Sequence, residues 1–312
     1  MSARQQSEAT RQSGLTYRGE DSRRHSTRTL TSNDRRAWPT RTQEPSHDIT
    51  FNDEEVVSIA GDWESNLEAV AAVLATMQQH RLGIRTVLQL GDLRFDAPLV
   101  MNGKTRRRTF VRDLDGLLTH HGVDRLLVTP GNHEWWNQLH AEFLRHPRRP
   151  YRIAPRIWVL PRGFRFRIGN TEFMSFGGAA SLHQGPGDRE WSEHEVPTAV
   201  DVASAAIKGT ADVLLTHESP EVSSDAVNAI TQRTAGWSAE RLAASRRSRL
   251  LITELVALTQ PQMVFHGHMH VAGERHEPGR PSVYSLGVAG KAGNAGFLNV
   301  LNQRFVWLAQ QR

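Results

Sequence analysis

A chain of 312 residues, 38% of them hydrophobic, is long enough for one α/β core of about 250 residues plus an appendage. No run approaches the roughly 18 apolar residues that a membrane span needs, so a soluble, cytoplasmic protein is expected. Zero cysteines exclude disulfides and thiolate metal sites, and leave His, Asp, Glu or Asn to hold any transition metal.

Residues 1–50 are rich in Arg and Ser, nearly free of aliphatics and without an apolar secretion segment, which predicts a disordered tail. Residues 1–48 hold nine Arg against six acidic residues, leaving about +2 of the net +5 for the rest of the chain. A solvated linker is the plain reading of that tail; a nucleic-acid tether or a targeting segment is the functional one, although six acidic residues argue against targeting. Residues 51–312 read as one folded domain.

The first strand-like run is VVSIAGD (Val56–Asp62). A helix follows over Asn66–His80, with Leu67, Val70, Ala71, Leu74 and Met77 on one stripe, Ser65 or Asn66 as cap and Gly83 beyond the end. Next come TVLQLGD (Thr86–Asp92) and a helix over Thr109–His121, stopped at Gly122. Arg106, Arg107 and Arg108 fall at the expected start of that helix, where cations oppose the dipole; a solvated face outweighs a phosphate-binding role. LLVTPGNHE (Leu126–Glu134) is the third run, with Trp135 and Trp136 placed either to stack on a substrate ring or to pack the loop.

Closely spaced runs at Ile157–Val159, Phe164–Ile168 and Phe173–Ser175 suggest antiparallel strands. The loop Gly177–Glu195, carrying His183, Arg189 and His194, has the composition of a substrate rim. DVLLTHE (Asp212–Glu218) is the fourth run; Ser219-Pro220-Glu221 then reads as a helix start, with Glu218 solvated or capping. A long helix over Ala239–Thr259 precedes Pro261 and the fifth run, MVFHGHMH (Met263–His270). Antiparallel runs are again expected at Ser282–Leu286, Phe297–Leu301 and Phe305–Leu308, and the glycine-rich Gly287–Gly296 lacks the order of a phosphate-cradling loop.

The five runs show little alternation, as strands buried on both faces do, and they interleave with helices: the fold class is α/β and layered. Each run ends in metal-donor residues, and loops leaving the carboxyl ends of such strands converge in space. Asp62, Asp92, Asn132, His217, His268 and His270 supply oxygen and imidazole without thiolate, a set that suits two divalent ions of Mn, Fe, Zn or Mg. Two such ions can activate a hydroxide between them and hold the attacking and leaving oxygens of a phosphoryl group. A single GD is an ordinary turn, but GNHE and GHMH place adjacent ligands in one loop. His266 reads as a strand-end residue behind the ligands. With no Cys and no GxSxG elbow, a protein nucleophile is disfavoured.

GD, GD, GNHE, TH and GHMH, in that order over about residues 56–275, resemble the motifs of the calcineurin-like metallophosphoesterase superfamily. The phrasing GDW, VLQLGDL, VTPGNHE, FGGAAS and VFHGHMH is also similar to a subgroup found in actinobacteria and their phages. The resemblance implies a layered β-sandwich flanked by helices, with the metal site at the carboxyl ends of strands. It implies one ion on Asp62, Asp92 and His270, a second on Asp92, Asn132, His217 and His268, Asp92 as bridge, and His133 facing the substrate as a catalytic residue.

The chain departs from the family pattern at Glu64, where the first motif usually has His, and at Ser65, where Gly is common. Glu64 has the reach of a ligand and would lower the charge of the site by one, favouring Mn or Mg over Zn and slowing hydrolysis. The expected function is hydrolysis of a small phosphoester, with a phosphodiesterase on nucleotide-type substrates favoured. The alternatives are a catalytically weak binding protein of the same fold, because of Glu64, and a nuclease guided by the basic tail. No membrane partner is expected, and nucleic acid is not favoured as one.

Overall fold

The computed structural model describes residues 49–51, 54–97, 99–101, 104–106, 109–188 and 191–309. Strand β1 (Ile49–Phe51) begins two residues inside the segment assigned above to the tail, and pairs parallel with β9 (Phe164–Ile168). Residues 1–48 of that expected tail lie outside the described residues.

All five motif-bearing runs form strands that stop just short of their polar clusters. They are β2 (Val56–Ala60), β3 (Thr86–Gln89), β6 (Arg125–Val128), β11 (Val213–Thr216) and β12 (Met263–His266). Among the described residues they divide between two sheets. One has the order β16 (Arg304–Trp307), β15 (Ala295–Asn299), β2, β3, β6, β8 (Ile157–Val159), β7 (Tyr151–Ala154). The other runs β1, β9, β10 (Thr171–Phe176), β11, β12, β14 (Ser282–Ser285), β13 (Gly273–Arg275). A small hairpin, β4 (Leu99–Met101) with β5 (Lys104–Arg106), stands apart, so Arg106 ends a strand instead of opening a helix; Arg107 and Arg108 lie outside the described residues.

The helices α1 (Leu67–Gln79), α2 (Phe110–His120) and α6 (Ala239–Thr259) match their expected spans. Asn66 caps α1 by accepting the Ala69 N–H at 3.0 Å. Glycine ends α2, where Gly122 takes the φ of 73° that a side chain would resist. Two helices had no clear sequence signal: α3 (Trp136–Arg145) and α4 (Ala199–Ala206). Ser219-Pro220-Glu221 does not open a helix, and the Glu221 N–H is donated to Thr253 Oγ1 at 2.8 Å; α5 (Asp225–Thr231) starts later, capped by Ser224.

The antiparallel expectation holds for β9 with β10 and for β15 with β2 and β16. For β8 and β14 it holds on one side only: they pair antiparallel with β7 and β13 but parallel with β6 and β12. Between β6 and β8 the chain returns through α3, a crossover that brings a strand back in the same direction. Between β12 and β14 the connection 267–281 carries β13, which takes the antiparallel edge.

Strand alternation sorts the core into layers. Val87, Leu126, Val128, Ile157 and Val159 pack with Val70 and Leu74 of α1 and Leu114 and Leu118 of α2. Met174, Phe176, Leu214, Val264 and Val283 pack with Val202 of α4 and Ile252 and Leu255 of α6. The alternate residues, among them Leu88, Leu127, Phe173, Leu215 and Phe265, are equally buried on the faces between the sheets. Contacts cross there: Thr129 Oγ1 and Ser175 Oγ lie 2.9 Å apart, and the Phe265 and Phe305 rings 5.0 Å apart. Each fully buried aliphatic contributes about 1.5–3 kcal/mol to this sandwich. The carboxyl ends of β2, β3 and β6 from one sheet and β11 and β12 from the other thereby meet at one edge.

Candidate metal centre

At that edge the donor atoms of Asp62, Glu64, Asp92 and His270 lie within 4.8 Å of one another, as do those of Asp92, His217 and His268. Asp92 belongs to both groups. Asn132 joins the second, its Oδ1 3.0 Å from His217 Nε2. His133 sits next to it, with its backbone N–H donated to Asp92 Oδ1 at 3.0 Å and its Nδ1 buried without a partner. The seven expected ligands and His133 are therefore brought to one place.

The loops hold these groups by backbone means. Glu64, Asp92, Arg94, His268 and His270 all adopt left-handed backbone, with φ between 48° and 67°, a conformation that L residues keep only where the surroundings impose it. Gly131 and Gly267 have no room for a side chain, since a Cβ on either would overlap the Asp92 or Asp62 carboxylate. The His268 N–H points at Asp62 Oδ2 at 3.0 Å. His217 donates from Nδ1 to the Leu90 carbonyl at 2.6 Å, which turns Nε2 toward Asp92 at 3.4 Å and Asn132. That is the orientation of an imidazole whose other nitrogen carries a metal.

The electrostatics show what the cluster lacks. Asp62 and Asp92 are fully buried; burial raises the Asp62 carboxyl above its ordinary range. Asp92 pays the same burial penalty but is held below its ordinary range by the charge of His217. Burial works against a charged His217, yet the Asp92 carboxylate lifts it to about 10. His270, hydrogen-bonded to Asp62 and Glu64, is also lifted to about 10. Burial drives His268 well down and lowers His133. Buried carboxylates that draw protons onto nearby imidazoles are a centre short of positive charge, and hard or borderline divalent cations fit such a donor set.

Glu64 is half of a pair. Its Oε2 accepts from Arg94 Nε at 2.7 Å, while its Oε1 lies 3.5 Å from His270 Nε2. Arg94 restores the positive charge that Glu64 removes, so the expected weakening of anion attraction is offset. No motif marked Arg94. Glu134 was equally hidden: buried, and lifted to about 8 by desolvation and by Asp92, it accepts the backbone N–H groups of Leu93 and Arg94 and so braces the loop after Asp92.

Some neighbours of the ligands depart from their sequence reading, whereas His266 keeps its place as a strand-end residue. Glu218 is fully buried, neither solvated nor a helix cap, and desolvation lifts it to about 7. His266 is buried behind the ligands, with Nε2 2.7 Å from Ser223 Oγ. Trp136 is buried and donates to the Gly131 carbonyl at 2.7 Å, which makes it a packing residue. His194 stacks on His140 at 3.5 Å and His183 packs edge-on to Trp237 at 4.6 Å; Arg189 lies outside the described residues.

The family model for calcineurin-like phosphoesterases matches residues 56–272, the span that carries all five clusters. The chain belongs to the calcineurin-like phosphoesterase family. This calcineurin-like chain is accordingly a metal-dependent hydrolase of phosphoester bonds. The family binds two divalent metals, and the two ligand groups sharing Asp92 are this member's candidates for them. No curated protein sequence matches the chain.

Among solved structures, the protein TT1561 of Thermus thermophilus is 12% identical, with 82% of this chain and 100% of that one covered at a TM-score of 0.48. A dimetal phosphatase from Danio rerio is 12% identical over 78% of this chain and 92% of its own, TM-score 0.42. A 5'-nucleotidase from Candida albicans is 14% identical over 85% of this chain and 52% of its own, TM-score 0.42. Among the described residues, no helix is long and apolar enough to cross a membrane.

Proposed function

We propose that the protein is a phosphodiesterase for small nucleotide-type esters, working with two divalent ions, manganese foremost. Asp62, Asp92, His270 and Glu64 would hold the first ion, and Asp92, Asn132, His217 and His268 the second. The observation that carries this reading is the pair of ligand groups sharing the buried Asp92. When bound, the two ions supply an activated water and Lewis-acid charge for the phosphoryl oxygens. The oxygen-rich first group favours Mn or Mg over Zn.

The protein groups around the ions divide the remaining work. His133, tethered through its backbone to Asp92, orients the phosphate and gives a proton to the departing oxygen. Arg94, held by Glu64, adds a fixed positive charge at the rim. The His270 side chain is 47% exposed, which leaves the centre open to a phosphate substituted on two sides.

Metal analysis combined with turnover of bis(p-nitrophenyl) phosphate and p-nitrophenyl phosphate in added Mn tests this. Two ions per chain and faster cleavage of the diester are expected. His133→Ala should lose about a hundredfold or more in rate, and Asp92→Asn should abolish turnover. One ion or none, with no turnover under any divalent metal, would leave a binding protein of the same fold.

A further inference from the structure

A cleft of about 830 Å³ has Arg94, the partner of Glu64, in its lining together with Phe95, Phe110, Trp135, Gln138 and Tyr151. Two of its walls continue the loops that carry the ligands. Arg94 and Phe95 follow Asp92, and Arg94 is the residue bound to Glu64. Trp135 lies two residues after His133, and its backbone N–H, donated to the Phe95 carbonyl at 2.7 Å, ties the two walls together.

The lining combines four partly covered aromatic rings with the charged Asp96, Arg112 and Asp115. The Phe95 ring stands 6.0 Å from Trp135 at 50° and 6.1 Å from Tyr151 at 62°. Phe95, Phe110 and Tyr151 pack on the helix-side core with one face, so the floor of the cleft is fixed by the fold. Gln138 adds an amide on the wall, its Nε2 3.5 Å from the Tyr151 hydroxyl. A phosphoryl group needs a small part of this space, and the volume falls in the roughly 300–1,000 Å³ range of small-molecule sites.

We propose that this cleft is the subsite for the leaving group of the ester and takes a planar aromatic group, a nucleobase or aryl ring, stacked against Trp135 and Phe95. The inference rests on the phosphoesterase reading above and names its substrate class. In hydrolysis the P–O bond to this group breaks, the phosphoryl takes OH from water, and the departing oxygen takes the proton. Trp135 in the lining follows two residues after His133, the proton donor of the proposed reaction. Aromatic stacking of this kind is sequence-tolerant and strong enough to show on truncation.

The test is calorimetric titration of the Mn-loaded full chain with 1-naphthylphosphonate and methylphosphonate. The two ligands share a non-hydrolysable head and differ in the ring. The naphthyl ligand should bind at least about tenfold tighter. Trp135→Ala should reduce that preference to within about twofold while leaving methylphosphonate affinity unchanged, and Phe95→Leu, a milder change to the fold, should lose at least about threefold of it. Equal binding of the two ligands by the wild type, no binding of either, or a preference that survives both substitutions overturns the subsite. The two readings fail separately. Aromatic preference without turnover of bis(p-nitrophenyl) phosphate keeps the cleft and discards the phosphoesterase reading. Turnover without preference does the reverse.

Discussion

Glu64 and Ser65 occupy successive left-handed positions, with φ of 48° and 56°. An L side chain costs about 1 kcal/mol or more there. For Glu64 the cost is offset by its salt bridge to Arg94 and its place beside His270; Ser65 has no comparable return. Ser65→Gly should therefore raise unfolding free energy by about 0.5–1 kcal/mol, less than the full strain because glycine also loosens the unfolded chain. Scanning calorimetry should show a Tm rise of roughly 1–4 °C; a fall would mean that Ser65 is not strained. At this scale the ligands were legible, because each is a donor residue closing an apolar run. Arg94 and Glu134 were not. Their roles depend on partners 30 and 41 positions away, Glu64 and the Leu93 N–H, and no local pattern records such a pairing.

Among the elements, those with long apolar runs or a full helical stripe were readable, and α1, α2 and α6 also carried visible stop signals in His80-to-Gly83, Gly122 and Pro261. The parallel pairing of β8 with β6 and of β14 with β12 was not readable, since it is set by the path of the connecting chain. The loop after β10 has the composition of a rim, yet it contains a buried structural turn. There Glu195, closing the short turn Glu193–Glu195, accepts the Ser192 N–H at 3.1 Å, while Arg162 donates to the carbonyls of His194 and Glu195. Desolvation lifts the Glu195 carboxyl from an ordinary 4.5 to about 8. The native chain thus keeps a proton that the unfolded chain releases, so this group's contribution is full below pH 4.5 and is lost as pH rises to about 8. Glu195→Gln retains an oxygen for Ser192 but removes the titration. Urea denaturation at pH 5 and pH 8.5 should show the variant gaining on the wild type at the higher pH; parallel pH dependence in both would place the carboxyl outside the buried turn.

For the molecule as a whole, the site exists only because two sheets deliver their carboxyl edges to the same place. Asp62, Asp92 and Asn132 come from one sheet, His217, His268 and His270 from the other, so a cation bound among them ties the halves of the sandwich together. Without it, two buried carboxylates depend on protons held by His217 and His270. The unfolded chain offers no such preformed cluster, and ions that bind the native state alone add about 2.7 kcal/mol at a concentration a hundredfold above Kd. Removal by EDTA should accordingly lower Tm by roughly 5–10 °C, with recovery when Mn is restored. The loss should also be localised. Amide exchange should quicken in the loops after β2, β3, β6, β11 and β12, while α1 and α6, packed on the outer faces away from this edge, keep their protection. Uniform loss of protection would mean that the ions support the whole core. An unchanged Tm would mean that the carboxylates are neutralised by the imidazoles alone, and that the convergence of the two sheets needs no metal to hold it.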